Sequence, residues 1–293
     1  MISYFQAVVI GLLQGVTELF PVSSLGHSVL IPALFGWHGL VAGQAADESF
    51  YLAFLVGLHV ATALALVVYF RTEWVRIFAG LRRSLQRRRI ETAEERLGWL
   101  LVVGTVPVGL TGLLFEHSLR VVFAKPLAAA VFLTLNGVIL LAGERLRRRA
   151  DNRVLVGADQ TRQVAQPTLD TLTFKESAII GAAQIPALFA GISRSGTTMV
   201  GGLFRGLNHE DAVRFSFLLA TPIILAAGVY KLPDLLGPLG NGIRGQILVG
   251  SLCAGIAAYA AVRYLVRYFT TKTLNPFGIY CLVAGTLAIL RFA

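Results

Sequence analysis

QGVTELFPVSSLGH, residues 14–27, interrupts an apolar stretch near the start of this 293-residue chain. AGISRSGTT, residues 190–198, interrupts a second apolar stretch in the same way. The two surrounding regions, residues 3–38 and 177–205, are otherwise apolar. A membrane span needs about 20 consecutive apolar residues, and each region is too interrupted to supply them. We therefore predict that each region forms two short helices, a hairpin that enters the membrane and turns back.

Six other stretches are long and apolar enough to cross a bilayer. They are residues 50–70, 97–115, 121–143, 213–231, 245–263 and 275–292. Hydrophobic residues make up 55% of the chain and charged residues only 14%, whereas about a quarter of an ordinary soluble domain is charged. This composition excludes a disordered chain, a disulfide scaffold and a typical soluble enzyme.

The formal net charge is nevertheless +10, which suggests either nucleic acid or the cytoplasmic face of a membrane as a partner. Eight arginines lie in residues 71–96, and seven arginines and lysines lie in residues 145–175. Two spans separate these loops, so both can be cytoplasmic, and both termini are then predicted to lie outside. No basic patch is interleaved with aromatic residues, which disfavours a nucleic-acid partner.

A shift of 170 residues aligns the two interrupted regions. The identical pairs are Ile10 and Ile180, Gly11 and Gly181, Gln14 and Gln184, Ser23 and Ser193, and Gly26 and Gly196. Chance matching is the alternative, but each region also precedes three predicted spans, so the second copy would be inverted. The sequence predicts an all-α polytopic membrane protein with one domain, 1–293. It divides into repeat one at 1–144, a flexible cytoplasmic linker at 145–175 and repeat two at 176–293.

Glu18 is an acidic residue inside a predicted membrane segment, where a carboxylate costs about 2.5–3.5 kcal/mol at mid-span. Gln14 lies one helical turn earlier and so on the same face. A proline then ends the helix, and Ser23 or Ser24 can cap the next one, which carries His27. Capping serines and a satisfied histidine are the purely structural alternative. Four such groups within ten membrane residues favour a functional site.

Arg194 is the only cation that this prediction places inside the membrane. Nearby glycines allow a ligand to approach the backbone, and a helix predicted to begin near Ser195 would point its amides at the same place. An arginine, hydroxyl groups and a helix N-terminus together suit an anion such as phosphate. A structural Arg194–Glu18 pair is the alternative, but it leaves the glycines and hydroxyls unexplained. If the hairpins meet, their groups suit a metal-assisted or histidine-assisted attack on phosphorus.

These motifs resemble those of the undecaprenyl-diphosphate phosphatases linked to bacitracin resistance. The matching positions are Gln14, Glu18, 21–27, 191–198, 215–222 and 276–280, so the resemblance covers nearly the whole chain. It implies a bacterial plasma-membrane protein with inverted repeats and re-entrant hairpins, whose active site faces the outer side. It also implies that the protein removes a phosphate from undecaprenyl diphosphate and so recycles the cell-wall lipid carrier.

The resemblance also implies roles for individual residues. Glu18 and Gln14 would hold a divalent cation, Mg²⁺ or Ca²⁺, or orient the attacking group. His27 would be the nucleophile or general base, and Ser24 is the rival nucleophile. Arg194 would act in catalysis and in substrate binding. The residues implied to bind the diphosphate are Ser23, Ser193, Arg194, Ser195 and Thr198.

Two positions depart from the family pattern. Ala190 stands where the family usually has a proline, and Leu55 stands after Phe54 where an acidic residue is common. His59 lies in the same predicted span. We interpret it as a core histidine rather than as a polar neighbour of the site.

A transporter or flippase of a polyprenyl phosphate is the alternative function, because inverted repeats are common among transporters. The expected partners are a polyprenyl diphosphate lipid and the membrane lipids. The pair Gly11-x-x-x-Gly15 could pack helices within one chain or between two, which would allow a homodimer. The two cysteines lie in apolar stretches and predict no disulfide or metal framework.

Overall fold

The computed structural model describes residues 2–45, 50–123, 125–157, 168–231, 233, 237 and 241–293. Within these ranges the fold is helical, with twelve α-helices and two 3₁₀ turns at Leu169–Thr171 and Ile185–Leu188. The α-helices are α1 Tyr4–Thr17, α2 Ser24–Leu34, α3 His38–Ala45, α4 Phe50–Tyr69, α5 Arg71–Arg87, α6 Ala93–Phe123, α7 Pro126–Gly157, α8 Phe174–Ala182, α9 Arg194–Phe204, α10 His209–Tyr230, α11 Arg244–Tyr268 and α12 Asn275–Phe292.

Six of these helices are long and apolar enough to cross a membrane. The apolar stretches are Phe50–Tyr69, Ala93–Phe115, Pro126–Arg149, His209–Tyr230, Arg244–Tyr268 and Asn275–Phe292. All six predicted spans are confirmed, although the third begins at Pro126 rather than at residue 121. Proline is favoured in the first turn of a helix because its fixed φ fits there and its missing N–H is not needed. The chain is therefore a multi-pass α-helical membrane protein.

Both interrupted regions form pairs of short helices, as predicted. The first pair is α1 and α2, of 14 and 11 residues, and the second is α8 and α9, of 9 and 11 residues. At 1.5 Å per residue, helices of this size are about 14–21 Å long, well short of the roughly 30 Å of a bilayer core. The first pair is followed by a further short helix, α3, that the sequence did not predict.

The two pairs of short helices are capped in the same way. Each pair begins with a capping box, in which two side chains satisfy N–H groups at the helix start. The boxes are Ser3 with Gln6 and Thr173 with Glu176. The second helix of each pair is capped by a serine that accepts from the amide three residues on: Ser23 from Gly26 and Ser193 from Gly196. Each residue and its counterpart are 170 positions apart.

Glycines let the short helices lie directly against spans of the other half. A Cβ atom on Gly11 would collide with the Gly250 carbonyl of α11, and one on Gly181 would collide with the Gly104 carbonyl of α6. Small residues permit this close approach between membrane helices.

α7 packs against α2, α9 and α12, and α4 packs against α10 and α11. Both pairs of short helices therefore lie beside α7.

Two predicted loops contain more helix than expected. Residues 71–96 include the 17-residue helix α5. α7 continues to Gly157, and α8 begins at Phe174, so both ends of the predicted linker are ordered by neighbouring elements. Residues 158–167 of the linker lie outside the described ranges.

Candidate active site

Glu18 lies at the C-terminal end of α1 and is the centre of a polar cluster. Its side chain is 6% exposed. Oε1 accepts a hydrogen bond from Arg194 Nη2 at 2.5 Å. Oε2 accepts from Gln14 Nε2 at 3.0 Å and from the Ser24 hydroxyl. Nε2 of His59 lies 3.4 Å from the same oxygen. Four elements, α1, α2, α4 and α9, therefore converge on one carboxylate.

The Glu18–Arg194 pair joins the two pairs of short helices. A buried carboxylate without a partner is strongly unfavourable, so removal of either partner from a buried pair costs about 3–5 kcal/mol. Two buried atoms of the cluster, Arg194 Nη1 and Gln14 Oε1, have no hydrogen-bond partner among the described residues. Such groups are rare in native proteins and mark positions where a ligand can bind. The cluster thus has one donor and one acceptor available for a ligand.

His27 lies on α2, three residues after Ser24, but its side chain does not bond to Glu18. Its Nδ1 donates to the Ser23 carbonyl at 2.7 Å, because a carbonyl oxygen can only accept. In the neutral ring, Nε2 then accepts from the Tyr280 hydroxyl, also at 2.7 Å. The two rings are stacked, with centroids 5.8 Å apart. Among the described residues, the structure therefore brings Ser24, but not the ring nitrogens of His27, to the Glu18 carboxylate.

The hydroxyls near Arg194 mostly bond to the protein itself. Ser193 Oγ caps α9 and lies 3.0 Å from Ser195 Oγ, and Ser195 Oγ donates to the Phe20 carbonyl at 3.3 Å. Thr198 Oγ1 donates to the Arg194 carbonyl at 2.7 Å. The hydroxyls thus hold the start of α9 in place around the arginine. Their predicted contacts with a diphosphate stay predictions.

Ser23 binds the two turns to each other. Its Oγ accepts from the Gly191 amide at 3.1 Å as well as from the cap amide of its own helix. Ser23 has φ 70°, a left-handed conformation that is unfavourable for a residue with a side chain. Gly191 has φ 116°, and a Cβ atom there would collide with the Ala129 carbonyl of α7. The close contact between the two turns therefore requires unusual backbone on both sides.

Asn136 of α7 contacts both turns and was not identified from the sequence. Its Nδ2 donates to the Pro21 carbonyl at 3.0 Å, and its Oδ1 accepts from the Ser193 amide at 3.0 Å. The side chain is completely buried. A lone polar residue in an apolar span was the only sequence signal, and it does not specify a partner.

Two more residues were misjudged or missed. The interpretation of His59 as a core histidine is wrong, because it lies against Glu18 with its side chain 23% exposed. Tyr280 belongs to a segment that carries the family resemblance, but nothing in that segment pointed to His27. In both cases the partner lies on another helix, so local spacing could not reveal the contact.

The donor set suits a divalent cation only in part. Mg²⁺ and Ca²⁺ prefer several oxygen ligands, and Mg²⁺ is often held by one or two carboxylates together with substrate phosphates. Gln14 Oε1 and the Glu18 carboxylate are oxygen donors of the right kind. Within the described ranges there is no group of three or more His, Cys, Asp or Glu side chains that could hold a metal. The protein residues alone would leave most of the coordination sphere to the substrate and water.

The fold and this cluster define a class: a multi-pass membrane protein with a buried carboxylate–arginine site that suits a phosphate-bearing ligand. A family model described as bacitracin resistance protein BacA matches residues 7–287. The chain belongs to this family.

Relatives named as undecaprenyl-diphosphatases match this chain over its full length. The undecaprenyl-diphosphatase of Mycolicibacterium paratuberculosis is 59% identical over 300 residues, and that of Mycobacterium avium is 58% identical. The undecaprenyl-diphosphatase 2 of Frankia alni is 54% identical over 340 residues. Each alignment covers 100% of this chain and 98% of the relative.

Proposed function

We propose that the protein is an undecaprenyl-diphosphate phosphatase, which hydrolyses undecaprenyl diphosphate to undecaprenyl phosphate and inorganic phosphate. This reaction recycles the lipid carrier of cell-wall synthesis. The observation that carries the proposal is the convergence of Ser24, Glu18 and Arg194, since it combines a hydroxyl, a base and a phosphate-binding cation. Full-length similarity to relatives named undecaprenyl-diphosphatase supports the same substrate.

The geometry favours Ser24 over His27 as the nucleophile, because only the Ser24 hydroxyl is bonded to Glu18. Glu18 accepts the Ser24 proton while Oγ attacks the terminal phosphorus. The bond from that phosphorus to the bridging oxygen breaks, and undecaprenyl phosphate leaves with the electron pair. Water then hydrolyses the phosphoserine and releases phosphate. His27 is the alternative nucleophile or base.

Arg194 holds the phosphoryl group during this reaction. Its Nη2 remains on Glu18, while the unpartnered Nη1 donates to a non-bridging oxygen of the terminal phosphate. A guanidinium is suited to this because its N–H groups point in fixed directions. Charge develops on those oxygens as the bond breaks, so this contact strengthens in the transition state.

A divalent cation would be held by Glu18 and Gln14 together with the phosphates of the substrate. When bound, it would neutralise negative charge on the diphosphate. The unpartnered Gln14 Oε1 supports this assignment. The test is direct metal binding with and without an unreactive diphosphate, in wild type and Gln14→Ala.

The fold is proposed to be an inverted repeat with two re-entrant hairpins. The support is the 170-residue correspondence of both capping boxes and both serine caps. The packing is also reciprocal: α1 contacts α11 of the second half, and α8 contacts α6 of the first. The division into 1–144, 145–175 and 176–293 follows from this repeat.

The protein is proposed to lie in the bacterial plasma membrane with both termini outside and the site open to the outer side. The arginines of 71–96 and 145–175 support this orientation. Gly11 and Gly15 pack against Gly250 and Ala254 of the same chain, so this motif gives no support to a homodimer. Cysteine labelling from either side of sealed vesicles tests the orientation, and light scattering tests the homodimer.

The proposed function is tested with purified protein in liposomes that contain undecaprenyl diphosphate. We expect phosphate release that falls by roughly 10²–10³-fold or more in Glu18→Ala and in Arg194→Ala. Leu188→Ala is the matched control, because Leu188 occupies the position of Glu18 in the second hairpin. Unchanged turnover in both site variants contradicts the proposal. Movement of polyprenyl phosphate across the bilayer without phosphate release identifies a transporter instead.

A further inference from the structure

Helix α5 carries an exposed apolar stripe that no other part of the described chain covers. The stripe residues are spaced three or four apart and so lie on one side of the helix. They are Arg71, Val75, Phe78, Arg82 and Leu85. Val75, Phe78 and Leu85 are 68%, 63% and 62% exposed. α5 has 17 residues, five of which are arginines, and it is not among the candidate spans, so bilayer crossing does not account for this exposure.

A second, adjacent stripe attaches α5 to the protein. Trp74, Ile77, Gly80 and Ser84 are buried. A Cβ atom on Gly80 would contact the backbone of Glu94 and Glu95 at the start of α6, and Ser84 accepts a hydrogen bond from Trp99 of α6. The apolar surface of α5 is therefore wider than the surface that the protein covers. One side faces α6, and the other faces outward.

The position of α5 in the chain brings this outward stripe to a membrane surface. α4 ends at Tyr69 and α5 begins at Arg71, so the helix starts directly where a candidate span ends. It is followed by α6, the next candidate span. A helix held between two span ends, with one apolar side and many arginines, has the composition of an interfacial helix.

The residues of the stripe indicate whether it contacts a lipid leaflet or a second copy of the chain. Arg71 and Arg82 lie within it, and each adds a positive charge beside the apolar side chains. A contact between two copies would bring two arginines from each copy into one interface, and this excess of like charge would oppose the contact. At a leaflet, the long arginine side chains can place their charges among the headgroups while the apolar residues enter the acyl region. Anionic headgroups complement these charges.

We propose that α5 is a lipid-binding helix, whose Val75, Phe78 and Leu85 insert into a leaflet while Arg71 and Arg82 bind anionic phospholipid headgroups. This binding is separate from the proposed catalytic cluster. It also does not depend on the phosphatase activity, because no residue of the stripe contacts that cluster.

The insertion is tested with single-cysteine variants labelled with a fluorophore, in a full-length Cys253→Ala/Cys281→Ala background. One variant carries Phe78→Cys in the stripe, and the control carries Ala79→Cys on the next face. In vesicles of phosphatidylglycerol and phosphatidylcholine, we expect a lipid-attached nitroxide to quench the label at 78 at least threefold more than the label at 79. We expect aqueous iodide to show the reverse order.

The headgroup contact is tested with Arg82→Gln and its control Arg76→Gln, which removes an equal charge from another side of α5. We expect phosphatidylglycerol to raise the Tm of wild type and Arg76→Gln relative to phosphatidylcholine nanodiscs. We expect Arg82→Gln to lose about half of that rise. Equal iodide access at 78 and 79 overturns the proposal, as does an equal Tm response in both variants. Shielding of 78 from both quenchers that disappears on dilution assigns the stripe to a second copy.

Discussion

The two turns between short helices share a framework and differ in their reactive groups. At equivalent positions, 170 residues apart, both have a glutamine, a capping serine and a glycine three residues after that serine. The first turn then has Glu18, Ser24 and His27 where the second has Leu188, Arg194 and Thr197. The shared residues build a tight turn into a new helix. The residues that differ supply a carboxylate, a hydroxyl and an imidazole on one side and a guanidinium on the other.

The difference between the two turns has a chemical reason. A phosphatase site needs negative and neutral groups to activate a nucleophile, and positive groups to bind phosphate. Two identical turns would bring like charges together. Divergence at three positions instead allows Glu18 and Arg194 to form a pair across the interface, 176 residues apart in sequence.

The largest expected effect separates Ser23, which caps α2, from Ser24, which is proposed to be the nucleophile. Ser24→Ala removes the hydroxyl bonded to Glu18, and we expect phosphate release to fall by roughly 10³-fold or more. Ser23→Ala removes only a cap and the bond to Gly191, so we expect a loss of about 0.5–2 kcal/mol in stability with most turnover retained. Turnover and Tm of both variants provide the test. An active Ser24→Ala together with an inactive His27→Ala would identify His27 as the nucleophile.

The next effect concerns the two hydrogen bonds by which Asn136 joins the two turns. Asn136→Ala leaves the Pro21 carbonyl and the Ser193 amide without this partner, and we expect a loss of about 2–4 kcal/mol in unfolding free energy. Thr221→Val is the control, because that buried hydroxyl bonds only within its own helix. Thermal unfolding in detergent measures both. Equal Tm values would show that Asn136 does not hold the turns together.

A smaller effect is expected at the tyrosine that contacts His27. Tyr280→Phe keeps the ring that stacks on His27 but removes the hydroxyl that bonds to its Nε2, a loss of about 1 kcal/mol. With His27 as the nucleophile or base, we expect a roughly fivefold lower kcat, whereas chemistry by Ser24 and Glu18 alone leaves kcat unchanged. Tyr264→Phe is the matched control on α11, since its ring stacks on Phe20 of the first turn. Steady-state kinetics separate kcat from KM. A kcat loss of the same size in both variants would argue against a specific role for Tyr280.

The smallest expected effect is a difference in pH dependence: the stability that one capping box contributes changes with pH, and that of the other does not. Bonds from the Thr173 amide and from Arg205 lower the pKa of Glu176 from 4.5 to about 2, whereas the equivalent Gln6 does not titrate. The lowered pKa stabilises the folded state above pH 4.5, and this contribution is lost as the pH falls toward 2. The contribution is below about 1 kcal/mol, because the pair is partly exposed.

We therefore expect Glu176→Gln to lower Tm slightly at pH 6 and to converge with wild type near pH 2. Gln6→Ala should lower Tm by the same amount at both values. Thermal unfolding across this pH range is the measurement. A Glu176→Gln difference that persists unchanged at pH 2 contradicts the assignment.

Much of the molecule could be predicted because its signals are local. Apolar length identified the six spans, and Pro21 and the serines identified the first turn. The low charge content made Glu18 and Arg194 visible as exceptions. The internal shift of 170 residues even aligned residues whose caps prove to be alike. Helix α5 was not predicted, because residues 71–96 were interpreted only as a cytoplasmic loop whose arginines orient the chain. The apolar residues spaced three or four apart in that segment were not recognised as one side of a helix.

The sequence by itself determined the spans, the turns and the residue types of the site, because these follow from periodicity, capping and the cost of charge in a membrane. Only the tertiary structure decided which groups meet. It placed His59 on Glu18, Tyr280 on His27 and Asn136 between the two turns. The physical reason is that these contacts join different helices. They depend on how glycine-lined helices pack in three dimensions, which no local spacing in the sequence specifies.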